Sequence, residues 1–166
     1  NYPDISPPLF YYLGGLHINK DDYRQAKIYL EQGLKLARQW KNARHLCLLL
    51  NALASVEKRT GNNAKAIEMY GEALSYAKEI QHKPYLANIY QNLGATELDR
   101  GRYKKSIQFS EKGLRLAREL GIVHTTNHIL QNLGSAEMSL GNTKNAERYF
   151  LEGLETAKQT GYAEAV

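Results

Sequence analysis

Two histidines are the residues best placed to bind a metal ion. His124 and His128 lie four positions apart, a spacing that puts both imidazoles on one face of a helix. A closed zinc site needs further Cys or His ligands, and the single cysteine, Cys47, is far away in the sequence. We therefore expect no metal site and interpret the two histidines as a surface pair.

Two other patterns that could support catalysis have simpler explanations. Gly14-Gly15 and Gly94 lack the Gly-Lys-Ser/Thr sequence of a phosphate-binding loop. Three glutamates recur every 40 residues: Glu57, Glu97 and Glu137. Carboxylates on separate helices can act as acid and base, but recurrence at a fixed period favours a packing or hydrogen-bonding role. The sequence therefore predicts a protein that is not an enzyme and holds no cofactor.

The composition is that of a globular chain. Of the 166 residues, 43% are apolar and 23% are charged, with a net charge of +5. No apolar run approaches the roughly 20 residues that span a bilayer, so we expect no membrane partner. A single cysteine excludes an intramolecular disulfide and fits a reducing compartment, and we expect a cytoplasmic location.

The sequence contains an internal repeat, and this repeat predicts the secondary-structure elements that position these residues. The sequence aligns on itself, without a gap, when it is shifted by 40 residues. One column holds only leucine: Leu13, Leu53, Leu93 and Leu133. We predict one array covering residues 1–166, with repeats at 1–40, 41–80, 81–120 and 121–160. Residues 161–166 match the start of a further, truncated repeat.

Each repeat is predicted to form two helices. In the third repeat, Leu86, Ile89 and Leu93 recur at helical spacing, and Gly101 ends that helix in the left-handed conformation. Glycines inside the helices, such as Gly94, cost about 1 kcal/mol relative to Ala, so their recurrence indicates close helix packing. One helix pair cannot bury its own apolar faces, and successive pairs must therefore stack.

One column of the alignment is always basic. Its members are Arg38, Lys78, Arg118 and Lys158. We place them in the last turns of second helices, where positive charge stabilises a helix by about 0.3–1 kcal/mol. Because this explains the column without a ligand, we expect no nucleic-acid partner.

The motifs Leu93-Gly94, Gly101-Arg102-Tyr103 and Leu133-Gly134 resemble the tetratricopeptide repeat (TPR). The resemblance covers the whole chain, although each repeat is longer than the common 34-residue form. The longer form is similar to TPR arrays of bacterial signal-transduction ATPases and of LuxR-type, Rap-type and PlcR-type regulators. The resemblance implies an all-α, right-handed solenoid of four helix-turn-helix repeats and eight helices. It also implies a sensor or partner-binding module of a larger intracellular signalling protein.

The resemblance further implies that the first helices line a concave groove for a peptide or protein ligand. The predicted groove residues are Tyr11, Asn51, Lys58, Arg59, Asn88, Gln91, Asn92, His128, Gln131 and Asn132. Most are amides, whose donors and acceptors can pair with a peptide main chain whatever its side chains. In peptide-binding TPRs an asparagine that matches Asn92 and Asn132 commonly holds the ligand main chain.

Several of these assignments have structural alternatives. Asn92 and Asn132 could instead tie adjacent helices together. Lys58 and Arg59 could bind a carboxylate or could only offset the dipole at a helix end. Tyr11 could stack on a ligand or cap the end of the array. For the whole chain, the alternative is a scaffold or self-association segment without a groove ligand.

Apolar residues at the C-terminal end of the array have no covering element in the sequence. Leu151, Leu154 and Ala157 occupy columns that inner repeats bury. Solenoids normally finish with a polar capping element. We therefore expect the array to continue beyond Val166 in the same register, and we expect this chain to associate end to end.

Overall fold

The structure, a computed structural model, describes residues 7–159. Within this range the chain forms eight α-helices and no strand. They are α1 (Pro7–Ile18), α2 (Tyr23–Gln39), α3 (Ala43–Arg59), α4 (Asn63–Glu79), α5 (Lys83–Asp99), α6 (Tyr103–Glu119), α7 (Val123–Ser139) and α8 (Thr143–Gln159). The predicted all-α fold class, with two helices in each repeat, is confirmed. The predicted start of a further repeat at 161–166 lies outside the described residues.

The helices from α2 to α8 share one length and one kind of turn. Each has 17 residues, and the three residues between successive helices form the turn. One residue with positive φ ends each first helix: Asp21 (56°), Gly61 (85°), Gly101 (69°) and Gly141 (81°). Glycine was predicted to take this conformation, and three of the four positions hold it.

The second helices end in the same way, which the sequence analysis did not predict. The positive-φ residues there are Lys41 (50°), Gln81 (52°) and Gly121 (65°). The residue after each of them donates its backbone N–H five positions back, as His82 does to the carbonyl of Ala77 at 3.0 Å. This bond satisfies a carbonyl that the helix end would leave without a partner. Each 40-residue repeat therefore consists of two similar 20-residue halves.

The chain divides into two compact units, Asn1–Tyr85 and Leu86–Val166. The core of the first unit is formed by Leu30, Leu49, Leu50 and Leu53, all at most 3% exposed. Tyr70 is buried with them, and its hydroxyl lies 2.9 Å from Ser55 Oγ. The buried phenol therefore has a hydrogen-bond partner, as a polar group in a core requires.

The second unit is packed around leucines and an isoleucine of α6 and α7. Its buried cluster consists of Ala87, Leu114, Ala117, Ile129, Leu130 and Leu133. A Cβ atom at Gly94 would collide with Ser110 Oγ, and one at Gly134 would lie 2.5 Å from the Phe150 ring. The predicted role of these mid-helix glycines in close helix packing is therefore confirmed.

Candidate functional site

Five predicted groove amides of the second unit lie on the first helices of two consecutive repeats, and we call them the amide face. They are Asn88, Gln91 and Asn92 on α5 and Gln131 and Asn132 on α7. Asn88 and Gln131 are exposed, whereas the other three are half-buried. Asn92 Nδ2 donates to Asn88 Oδ1 at 3.3 Å, because residues four positions apart share a helix face.

Asn132 connects the two helices of the amide face. Its Nδ2 donates to the main-chain oxygen of Gln91 at 3.4 Å, which is long for a hydrogen bond. Asn132 therefore ties adjacent helices together, which was the structural alternative given for it from the sequence. The amide nitrogen carries two donors and the side-chain oxygen is an acceptor, so the tie is compatible with ligand binding. The binding role of the amide face stays a prediction.

His128 is the remaining predicted site residue of the second unit, and it is exposed. Its Nε2 lies 3.2 Å from Nε2 of His124, one turn earlier on α7. Partial desolvation of the ring lowers the pKa of His128 below its ordinary value of 6.5, and the nearby His124 lowers it further. A side-chain hydrogen bond with Gln131 acts on the pKa in the opposite sense and joins His128 to the amide face.

The first unit contains a pocket of about 360 Å³ between α1, α3 and the start of α5. Tyr11, Tyr12, Arg44, His45 and Tyr85 contribute to its lining. Arg44 Nε donates to Tyr85 Oη at 3.3 Å, and the rings of Tyr11 and Tyr12 meet edge to face with centroids 5.7 Å apart. Burial raises the pKa of Tyr11, and the neighbouring tyrosines raise it further, so its hydroxyl is protonated at neutral pH.

Such a pocket can accept a flat apolar group beside a positive charge. Tyr11 was predicted from the sequence as a ligand-binding residue, whereas Arg44, His45 and Tyr85 were not. A signal for two of them was present, because His45 and Tyr85 occupy the same column of the 40-residue alignment. The column does not reveal that side chains from neighbouring repeats meet in one cavity. The stacking role of Tyr11 stays a prediction.

Arg59 makes contacts with the start of α2 and with the turn before it. Its Nη1 donates to Tyr23 Oη at 3.3 Å, and it lies 4.0 Å from Asp21 Oδ1. These contacts join the second repeat to the first, a role that the sequence did not predict. Lys58 and Asn51 are half-buried on α3 and have interactions within the chain. A ligand-binding role for these three residues stays a prediction.

The glutamate column is buried and structural. Glu57 is 1% exposed, and its Oε1 accepts hydrogen bonds from Lys27 Nζ at 2.7 Å and Lys65 Nζ at 2.8 Å. Its Oε2 accepts a bond from Asn62 Nδ2 at 2.8 Å. Burial alone would raise the pKa of Glu57, but the bonds from Lys27, Lys65 and Asn62 outweigh it and hold the pKa at about 2. A carboxylate that is enclosed and permanently ionised at neutral pH cannot exchange protons with a substrate.

Each member of this column contacts the residue five positions later, just before the second helix. Glu137 Oε2 accepts a bond from Asn142 Nδ2 at 2.7 Å, and Glu97 Oε2 lies 3.9 Å from Arg102. In the first repeat the acidic residue occupies the other position. His17 lies in the glutamate column, and its Nδ1 is 3.2 Å from Oδ2 of Asp22, five positions later. The column therefore contacts the residue before the second helix in all four repeats. The predicted hydrogen-bonding role is confirmed for Glu57 and Glu137, whereas Glu97 Oε2 makes ion-pair contacts and no hydrogen bond.

Two members of the basic column, Arg38 and Arg118, form ion pairs between consecutive second helices. In the first unit, Arg38 Nη2 lies 3.5 Å from Glu72 Oε1, and in the second unit Arg118 pairs with Glu152. Both pairs span 34 residues and are largely exposed, so each contributes less than about 1 kcal/mol. These contacts give Arg38 and Arg118 a structural role that was not predicted from the sequence.

Comparison with protein families decides the classification. Sequence models described as tetratricopeptide repeat match residues 7–39, 44–119 and 128–160. The chain belongs to the tetratricopeptide repeat family. TPR domains are generally non-catalytic modules for protein interaction. Comparison of this TPR protein with curated proteins gave no match.

Solved structures confirm the repeat-solenoid fold of this TPR protein. The apo form of RapI matches with 19% identity and a TM-score of 0.87, and aspartyl phosphate phosphatase F from Bacillus subtilis with 14% and 0.86. BtubC (BKLC) from P. vanneervenii matches with 18% identity and a TM-score of 0.84. Each alignment covers 93% of this chain, but only 57%, 41% and 64%, respectively, of the other protein. None of the helices found between residues 7 and 159 has both the length and the apolarity to cross a membrane.

Proposed function

We propose that this TPR protein is a non-catalytic recognition module that binds an extended peptide or protein segment on the amide face. In this proposal it is the ligand-sensing or partner-binding part of a larger cytoplasmic regulatory protein. The observation that carries the proposal is the set of five amide side chains on α5 and α7. The likeness of the fold to RapI supports a peptide as the ligand class, given the resemblance to Rap-type sensors.

The chemistry of the amide face suits a peptide main chain. An extended peptide advances about 3.3 Å per residue and presents one donor and one acceptor on most residues. Asn and Gln offer both kinds of group, so they can pair with this backbone without selecting side chains. The Asn88–Asn92 bond and the tie from Asn132 to Gln91 hold part of the face in place before a ligand arrives. Fixed groups lose less conformational freedom on binding, which favours affinity.

Selection of peptides tests the proposal directly. A random peptide library is panned on the chain, and the selected peptides are titrated by calorimetry against wild type and Asn92→Ala/Asn132→Ala. We expect each lost amide to weaken binding by about 1–3 kcal/mol if its pairing with the peptide main chain is lost. Gln108→Ala is the matched control, since Gln108 is an amide on the second helix α6, away from the amide face. Equal affinity of wild type and the double variant would contradict the proposal.

Self-association is a second candidate function, favoured by an apolar surface on α8. Leu151 is 58% exposed and Leu154 is 51% exposed, and both line a pocket of about 390 Å³ beside Phe150. Exposed apolar patches of this kind commonly mark protein contacts. In end-to-end association this surface would meet exposed leucines of α1 in a second copy, such as Leu9 and Leu16.

Sedimentation velocity over a range of concentrations tests this second candidate. We expect the wild-type chain to form larger species as concentration rises, and we expect Leu151→Glu to shift the equilibrium toward monomer. A wild-type chain that stays monomeric at all concentrations would exclude end-to-end association.

A further inference from the structure

The histidine pair at the start of α7 has a geometry that the sequence spacing alone does not give. His124 and His128 lie one turn apart on the surface of the helix, and their Nε2 atoms are 3.2 Å apart. The ring centroids are 4.4 Å apart and the ring planes cross at 72°. Both residues belong to the 17-residue helix α7, so the backbone fixes the separation of their Cα atoms. The pair is therefore assembled before any ligand is present.

The separation of the two nitrogens matches that of two ligands on one metal ion. Imidazole nitrogens bind zinc at about 2.0–2.1 Å. Two such bonds whose nitrogens are 3.2 Å apart enclose an angle of about 103° at the metal, between the octahedral and tetrahedral values. The two nitrogens form a hydrogen bond with each other in the structure, so binding of one ion requires both rings to carry their proton on Nδ1, which makes both Nε2 lone pairs available.

We propose that His124 and His128 form an exchangeable binding site for a divalent transition-metal ion, with Zn²⁺, Ni²⁺ and Cu²⁺ as the class of ligand. Neutral imidazole is a good ligand for these ions. Among the described residues, no group of three or more His, Cys, Asp and Glu side chains could hold a metal. The protein therefore supplies two ligands, and water fills the remaining positions. From the sequence we expected no metal site, because a closed, four-ligand zinc site lacks further ligands; the proposed site departs from that expectation, since it is open and needs only these two ligands from the protein.

One neighbouring side chain also contacts the pair. His128 has a side-chain hydrogen bond with Gln131, three positions later on α7. This bond restrains the His128 side chain. The site does not depend on peptide binding by the amide face, and it can be tested with the metal alone.

Isothermal titration calorimetry of the chain with ZnCl₂, NiCl₂ and MnCl₂ tests the proposal. We expect one Zn²⁺ or Ni²⁺ per chain at this site and much weaker binding of Mn²⁺, following the general order of affinities. His124→Ala and His128→Ala should each weaken binding at least about tenfold, because the remaining imidazole loses its intramolecular partner ligand. His82→Gln is the control, since His82 lies at another helix start and stacks on Tyr85.

A second readout locates the metal without relying on the variants. Paramagnetic Ni²⁺ should broaden the ring proton resonances of His124 and His128 at concentrations that leave the His82 ring unaffected. Equal affinity of wild type and His124→Ala/His128→Ala would overturn the proposal. So would broadening that is no stronger at this pair than at His82.

Discussion

Replacement of Glu57 by glutamine removes the charge from the most heavily bonded member of the glutamate column. The carboxylate is 1% exposed and accepts bonds from two lysine ammonium groups and one asparagine amide. The glutamine side chain has nearly the same volume, but it replaces one acceptor oxygen by a donor nitrogen. The two ammonium groups, on Lys27 and Lys65, would then face a neutral side chain.

The pKa of Glu57 gives the size of the expected effect. The folded chain lowers this pKa from 4.5 to about 2, and one pKa unit corresponds to about 1.4 kcal/mol. The charged form therefore contributes up to about 3 kcal/mol to folding. Lys27 and Lys65 are 38% and 52% exposed, so solvent and salt screen the attraction. We expect a loss of about 1–3 kcal/mol for Glu57→Gln at pH 7 and low salt.

The pH dependence separates this effect from a simple packing defect. Because the folded pKa lies below the unfolded value, the stabilisation is complete above pH 4.5 and is lost as the pH falls toward 2. Urea unfolding followed by circular dichroism between pH 2 and 7 measures it. The gap between wild type and Glu57→Gln should shrink over that interval. Glu137→Gln is the matched control, because Glu137 accepts bonds from the amides of Asn142 and Asn145. A gap for Glu57→Gln that is the same at pH 2 and pH 7 would refute this reasoning.

Three further predictions concern single residues. Leu93 is 2% exposed, so Leu93→Ala should cost about 2–5 kcal/mol in urea unfolding, whereas Lys78→Ala, at an exposed helix end, should cost less than about 1 kcal/mol. Equal costs would show that the repeat register is wrong. Gln81→Gly should raise the melting temperature and Gly121→Ala should lower it, because both positions have positive φ and the left-handed conformation costs a non-glycine residue about 1–2 kcal/mol. The opposite signs would contradict this account of the turns. Burial raises the pKa of the Cys47 thiol to about 11, so a thiol reagent at pH 8 should react with it far more slowly in the folded chain than in urea. Equal rates would contradict its burial.

The fold was predictable because the 40-residue period places the same types of residue at the same structural positions. Three of the four invariant leucines, Leu53, Leu93 and Leu133, lie in the core, whereas Leu13 is 37% exposed. Glycines such as Gly101 identified the ends of the first helices. The turns at Lys41 and Gln81 were missed because neither residue favours positive φ. Within residues 7–159, Gly121 is the one glycine in that column. At these two positions the packing of the flanking helices imposes the positive φ. The residue type therefore does not reveal the turn.

The candidate site was less predictable, because its contacts depend on how neighbouring helices meet. The resemblance to TPR proteins placed Asn88 and Asn92 in one groove, and the structure shows a hydrogen bond between them. The tie from Asn132 to Gln91 requires the distance between two helices, which no spacing provides. The contact between Arg44 and Tyr85 was missed for the same reason.

Nuclear magnetic resonance of the side-chain amides would show where a selected peptide binds. A peptide selected by panning is titrated into ¹⁵N-labelled chain, and the Asn and Gln side-chain resonances are followed. The account predicts shifts at the amide face, led by Asn92, Gln131 and Asn132, while Gln108 on α6 stays unchanged. Shifts confined to the second helices, with the amide face unaffected, would contradict it.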